Sequence, residues 1–419
     1  MKARRITWAT LPRLLTLLGL SMTLACVDVV EDSPSDAVKI GALLPFSGEL
    51  AASGINLERP LMMAADTINA AGGIQGKPVV IIAADSNVVF EDVEDYETNK
   101  AVVAEWVAQN DLKAVIGPLI PELGQRLAPE LRRSEAVHIS GSIAPASTLA
   151  ASARCSFNFL PSFQQLGDQL GEKMVADGAS TAGMIYLTDD YGIKMKDGIF
   201  SGFSTAGGEI TGISPTTLGK PSYVDDITNA TSDSPDALVM IAYPKTGSTI
   251  VTESLLTSRD NPTWYFAPSL RVNDFVANVP QGRLAGSVGV APGLDDRSLD
   301  FTARYRSEWS GTPLLDGYYY FDAVITLALA MTEAAVSDGG SPSWATTCAK
   351  MQGVSSEGTE ITWQNLEAGF DAIRAGQAVN YEGVTGPVTL DEFGNLSEGF
   401  IELWTVGDEG IVSDSRVQF

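Results

Sequence analysis

Apolar runs of five to eight residues recur along most of this chain, at 38–45, 79–84, 113–117, 136–140, 182–187, 237–242, 285–290 and 399–406. Between and after them lie stretches where apolar positions return every three to four residues, at 55–71, 93–109, 121–133, 163–177, 192–206, 246–258, 297–309, 316–337 and 363–375. The first period predicts buried strands and the second predicts amphipathic helices. Their alternation predicts an α/β fold with parallel sheets covered by helices on both faces. The opening unit is the clearest. A run from Val38 to Pro45 is followed by a small-residue loop at 46–54, and Leu57, Leu61, Ala65 and Ile68 then share one helical face. Gly72-Gly73 ends that helix, because glycine takes the left-handed C-cap conformation without a Cβ clash. A second apolar run begins at Val79. Strand, helix and strand in this order form a βαβ unit.

The segments IGALLPFSG, the alanine-rich helix with Ile68-Asn69, and AGGIQGKPV resemble the start of the type I periplasmic solute-binding proteins, the leucine/isoleucine/valine-binding family. Further along, AVIGP, VHISGS, Asp190-Tyr191-Gly192 and YEGVTGPVTLDEFGN resemble that family's later strands and turns, in the same order, over roughly nine-tenths of the chain. The resemblance implies two Rossmann-like lobes joined by three crossings, near Leu160, Ala291 and Pro387. The N-terminal lobe is then 38–160 plus 292–386, and the C-terminal lobe 161–291 plus 387–419. It also implies a substrate-binding protein of an ABC importer, with a small-molecule solute and a permease of the cytoplasmic membrane as partners. A protein-interaction lipoprotein on the same fold is the alternative.

The N-terminus is read as a targeting segment. Lys2, Arg4 and Arg5 precede an apolar stretch at 14–24, which is too short to span a bilayer permanently. Cys26 follows Thr23-Leu24-Ala25, an arrangement that resembles a lipoprotein signal, although Thr23 and Leu24 depart from the commonest signal pattern, which prefers leucine three before the cysteine. Residues 1–25 are expected to be a signal peptide, Cys26 the lipidated residue, and 26–37 an acidic tether that leaves the protein anchored in the periplasm or cell envelope. Ordinary secretory cleavage near Ala25 is the other reading. Removing 1–25 removes Lys2, Arg4, Arg5 and Arg13 but no acid, so the formal charge goes from -25 to -29. So acidic a surface argues against nucleic acid and anionic lipid as partners. The remaining 394 residues (419 minus 25) suit two lobes. Cys155 and Cys348 form either a disulfide or two separate buried thiols.

Motifs of catalysis are nearly lacking. His138, the single histidine, lies in an apolar strand and reads as structural. Asp189-Asp190 and Asp295-Asp296 are chain neighbours and read as solvated turns. No metal-ligand cluster, nucleophile motif or phosphate loop is found, so no enzyme activity, cofactor or metal is expected.

In such sheets ligands bind beyond the carboxyl ends of the strands. The loops there are 46–54, 117–122, 140–145, 188–192, 243–246 and 267–271. The family resemblance carries ligand-binding roles onto Ser53, Pro121, Ser142, Ile143, Ala144, Tyr191, Tyr243 and Ser269. Only Tyr191 and Tyr243 keep the family's residue types. Pro121 stands for a carboxylate-binding serine, Ala144 for a threonine, Ser269 for an ammonium-binding glutamate and Ser53 for a tyrosine. A zwitterion buried without those partners is costly. The expected solute is therefore a small polar or aromatic-stackable organic molecule with Tyr191 and Tyr243 as its walls, and with Glu122 or Arg271 as replacement charges.

Overall fold

The computed structural model describes residues 34–47, 50–89, 96–119, 121–140, 155–257, 262–407 and 410–419. Cys26, Ser142, Ile143 and Ala144 lie outside the described residues. The chain begins with β1 (Val38–Leu44), α1 (Ala51–Ala70), β2 (Val79–Asp85), the single turn α2 (Ser86–Val89), α3 (Tyr96–Asn110), β3 (Leu112–Ile116), α4 (Pro121–Arg133), β4 (Val137–Ile139) and the short β5 (Ser156–Phe157). These strands make one parallel sheet in the order β2-β1-β3-β4-β5. β1 is buried along nearly all its length, which is why its apolar residues run on without alternation.

The second sheet starts after α5 (Phe163–Ala176). It follows β6 (Thr181–Leu187), α6 (Asp190–Thr205), β7 (Glu209–Thr216), α7 (Val224–Ala230), β8 (Ala237–Ile241), α8 (Pro244–Thr257), β9 (Thr263–Phe266), α9 (Asn273–Ala277) and β10 (Val288–Pro292). The chain then returns to the side of the first sheet with α10 (Ser298–Glu308), α11 (Leu315–Ser337), α12 (Trp344–Lys350), β11 (Thr359–Ile361), α13 (Leu366–Arg374) and β12 (Val379–Tyr381), where β11 and β12 pair as a separate two-stranded parallel sheet. It ends in the second sheet with β13 (Phe400–Gly407) and β14 (Gly410–Gln418). The order is β14-β13-β10-β9-β8-β6-β7, parallel from β7 to β10 and antiparallel at β13 and β14.

α11 is apolar around its circumference, from Gly317 to Ala335, and packs on α1, α12 and α13. Its length and a mean hydropathy of 1.3 would suit a bilayer, but 83 % of that window is buried inside the protein, as in a core helix. α5 and α6 meet through facing glycines. A Cβ on Gly167 would stand 2.1 Å from the backbone of Gly198, and one on Gly202 would stand 2.4 Å from the Gly167 carbonyl. A disulfide joins Cys155, at the entry to β5, to Cys348 on α12, with Cα atoms 5.0 Å apart.

The chain passes between the sheets three times. The first passage follows β5 and ends where Ser162 caps α5 in a capping box with Gln165. The second follows β10, where the Tyr319 hydroxyl donates to Gly293 O at 2.5 Å and Arg297 bridges Asp295 and Glu382. The third falls after Leu396, later than the Pro387 expected from sequence. The segment past Pro387 still lies along the first sheet: Asn158 bridges to Asn395, and Asn158 N–H donates to Gly394 O. The apolar run read at 285–290 is shifted to Val288–Pro292, because Gly286 takes a positive φ of 79° and turns the chain first. Likewise α1 starts at Ala51, so Ser53 lies in its first turn and not in a loop.

Candidate functional site

Each sheet has one place where the strand order reverses, and the crevice there is the natural ligand site. In the first sheet it lies between β1 and β3, in the second between β6 and β8. The loops after β6 and β8 deliver Tyr191 and Tyr243 to the second switch point. Those after β1 and β3 lead to Ser53, in the first turn of α1, and to Pro121, which opens α4. A missing N–H costs nothing at a first helical position.

Local chemistry fixes the tyrosines. Asp189 caps α6 by accepting from Gly192 N–H at 2.8 Å. Gly192 lies against the end of β6, where a Cβ would be 1.9 Å from Leu187 O. Only glycine lets the helix start this close, and Tyr191 is thereby held at the strand end. Its ring stacks on Tyr243, with centroids 5.7 Å apart and an interplanar angle of 19°. Phe163, the first residue of α5 beyond the first passage, leans on Tyr191 at 5.9 Å. Both tyrosines are half-buried, so part of each remains open as a wall.

Ser269 is hydrogen-bonded to Tyr191 and Ala242. Its N–H donates to the Tyr191 hydroxyl at 3.2 Å, and its Oγ lies 2.8 Å from that hydroxyl and donates to Ala242 O at 2.8 Å. The proton order consistent with all three runs from Tyr191 O–H to Ser269 Oγ, then to Ala242. Ser269 therefore orients Tyr191. Burial pushes the Tyr191 hydroxyl up to about 12 against the lowering effect of Ser269, and burial followed by the neighbouring Asp189 raises Tyr243 further. Both stay protonated at neutral pH, offering aromatic faces and neutral donors.

Arg271 is already paired. Its Nη2 donates to Glu402 Oε1 on β13 at 2.7 Å, and its Nε also lies against that carboxylate. Glu402 is buried, so the pair is closed and Arg271 supplies no free charge. His138 is buried with both nitrogens engaged, Nε2 with Gly117 O at 3.1 Å and Nδ1 with Ser156 Oγ. Burial pushes it down to about 4, which leaves it a neutral structural residue. Among the described residues no group of acids, histidines and cysteines could hold a metal. One residue that acts on these tyrosines escaped the sequence reading: Asp316, in the first turn of α11, whose charge is felt at the Tyr191 hydroxyl. An acid at a helix start looks like a response to the helix dipole, and only the packing of α11 against both lobes distinguishes it.

The periplasmic binding protein family model matches residues 37–385. The substrate-binding protein BasB of a chemotactic signal transduction system in Halobacterium salinarum is 25% identical over 383 residues, covering 84% of this chain and 83% of that protein. The branched-chain amino acid transporter substrate-binding protein LivJ of Streptococcus pneumoniae, solved with isoleucine, has a TM-score of 0.72 at 18% identity, covering 91% of this chain and all of that one (100%). A solute-binding protein of an ABC transporter from R. palustris, solved with benzoate, has a TM-score of 0.70 at 15% identity over 91% of this chain and 96% of its own. With the matched segment spanning both sheets, and with the sheets in the order just described, the chain belongs to the type I periplasmic binding proteins, in the leucine/isoleucine/valine-binding family.

Proposed function

We propose that this chain is an exported substrate-binding protein of an ABC importer that captures a small organic solute between its lobes and is held to a membrane by lipid on Cys26. It binds its ligand and performs no chemistry on it. One observation carries the reading: the Tyr191–Tyr243 stack stands at a switch point, fixed by the Ser269 relay and partly open. Such a pair is an expensive arrangement to keep half-wet unless something covers it, since aromatic surface is worth about 25 cal/mol per Å² once removed from water. The family's carboxylate- and ammonium-binding residues are replaced at Pro121 and Ser269, which argues against an aliphatic amino acid held in the usual way.

Closure is the proposed mechanism of capture, with the three passages as the hinge. Small-angle scattering on the mature protein, with a solute first identified by thermal shift, is expected to give a smaller radius of gyration in the bound state. Confirmed binding with an unchanged radius would remove closure from the account.

The anchor is tested separately. Cys26→Ser is expected to move the protein from the membrane pellet to the soluble fraction. A wild-type protein already in the soluble fraction, or a mature N-terminus without lipid, contradicts the anchor.

A second reading has one observation in its favour, the similarity to BasB along most of both chains. On that reading the closed form is presented to a membrane signal transducer and not to a permease. Solute uptake by cells lacking this chain separates the two: a lost uptake supports the importer, while normal uptake with lost attraction supports the transducer.

A further inference from the structure

Asp316 stands where the two lobes meet. Leu314, just before α11, packs in the same apolar cluster as Tyr191, and Leu315 packs on the second-sheet cluster flanked by Tyr243. The Asp316 charge is felt at the Tyr191 hydroxyl across the junction, and at Tyr319 and Tyr320 on its own helix. The turn that holds it is fixed to the first lobe. Leu314 N–H donates to Asn56 Oδ1 on α1 at 2.8 Å, and Gly317 lies so near Pro60 that a Cβ would come within 2.7 Å. A carboxylate of one lobe is thus held within electrostatic reach of the aromatic wall of the other.

Among the described residues Asp316 has no hydrogen-bond or ion-pair partner. The arginines around this junction are engaged elsewhere: Arg271 with Glu402, Arg304 with Glu308 and Thr67, Arg306 with Thr312, and Arg59 with the Tyr305 hydroxyl. Asp316 keeps part of its surface open, yet burial pushes its carboxyl up to about 6. At neutral pH it is mostly ionised and poorly solvated, a state that an incoming cation relieves. The opposite wall suits the same visitor. Stacked tyrosine rings attract a cation through their faces, and Asp189 beside Tyr243 adds negative charge.

We propose that Asp316 determines the specificity of the cleft, and that the solute carries a cationic nitrogen, as an alkylammonium, quaternary ammonium or guanidinium group, held between Asp316 and the Tyr191–Tyr243 pair. This rests on the solute-binding reading and adds the charge of the ligand to it. Arg271, the cation adjoining the aromatic wall, is closed on Glu402, so the site is built for positive charge and not for a carboxylate.

The test uses pairs of near-isosteric compounds on the full mature chain: choline against 3,3-dimethylbutanol, and arginine against citrulline. Calorimetry and thermal shift are run at millimolar ligand on wild type, Asp316→Asn and Tyr191→Ala. The cationic member of at least one pair is expected to bind, its neutral partner far more weakly. Asp316→Asn is expected to weaken the cation on the order of a hundredfold, while melting no lower than wild type without ligand. Equal binding of both members of every pair, no shift with either cation, or unchanged cation affinity in Asp316→Asn overturns the assignment. If a neutral or anionic compound such as benzoate binds and only Tyr191→Ala abolishes it, the cleft stands and the cationic assignment fails. If a compound binds wild type and both variants equally, the cleft reading itself fails.

Discussion

Asp322→Ala is expected to destabilise the protein by about 3–5 kcal/mol, the range for stranding buried polar partners of a charge. Asp322 lies in the middle of α11 with no exposed surface. Its carboxylate accepts from the Tyr381 hydroxyl at 2.7 Å, from Val384 N–H at 2.9 Å, and from Thr385 N–H at 2.9 Å and Oγ1 at 2.7 Å. These bonds tie the central helix of the first lobe to the segment that leads to the third passage. Alanine leaves four donors buried without an acceptor. Asn at this position keeps the size and one acceptor oxygen, so its loss is expected to be about half as large. Urea unfolding of wild type and both variants measures this, through midpoints at a common slope. The pH dependence has a definite sign. Burial pushes Asp322 up to about 6 despite the four hydrogen bonds, so the folded state holds this proton more tightly than the unfolded chain. The contribution of the group is complete below the ordinary carboxylate pKa near 4 and falls as pH rises through about 6. The advantage of wild type over Asp322→Asn is expected to shrink across that window. A loss for Asp322→Ala within the ordinary surface range of about 0.5 kcal/mol would contradict the structural role given to this carboxylate.

Much of this architecture could be read from sequence because its central strands are buried on both faces. The residues of β8 and β10 are continuous apolar runs, and in β1 only the half-buried Lys39 interrupts one. The two edge strands of the second sheet, β7 and β14, were illegible for the opposite reason. β7 alternates, with Glu209, Ser214 and Pro215 in a half-exposed strand, and β14 is exposed through Ser413, Asp414, Ser415 and Arg416. β9 is only four residues long, at the lower limit of what periodicity can read. The third passage was misplaced since the bridge of Asn158 to Asn395 pairs residues far apart in the chain, and no local pattern encodes it. The candidate site divides in the same way. Tyr191 and Tyr243 sit next to strand ends, where a local motif finds them. The role of Ser269 depends on a hydroxyl two strands away in the sheet order, and that of Asp316 on the meeting of two lobes. Neither is a property of a short window.

Tyr191→Ala is expected to weaken solute binding by roughly 10- to 100-fold, the loss of about 1.4–2.7 kcal/mol that aromatic stacking or cation–π contact supplies in a partly desolvated site. The ring contacts both Tyr243 and Phe163, so truncation removes one wall and frees the other to move. It also leaves the Ser269 N–H without its acceptor and removes the donor to Ser269 Oγ. Phe at this position keeps the wall and loses the relay. It is expected to fall between wild type and alanine, which separates shape from hydrogen bonding.

The most direct measurement of the central claim is therefore a thermal-shift and calorimetric titration of one solute against wild type, Tyr191→Ala and Tyr191→Phe. A solute that stabilises wild type by mass action, phenylalanine less and alanine least, is the predicted result. Equal stabilisation of all three proteins would place the binding site elsewhere and contradict the assignment of the cleft.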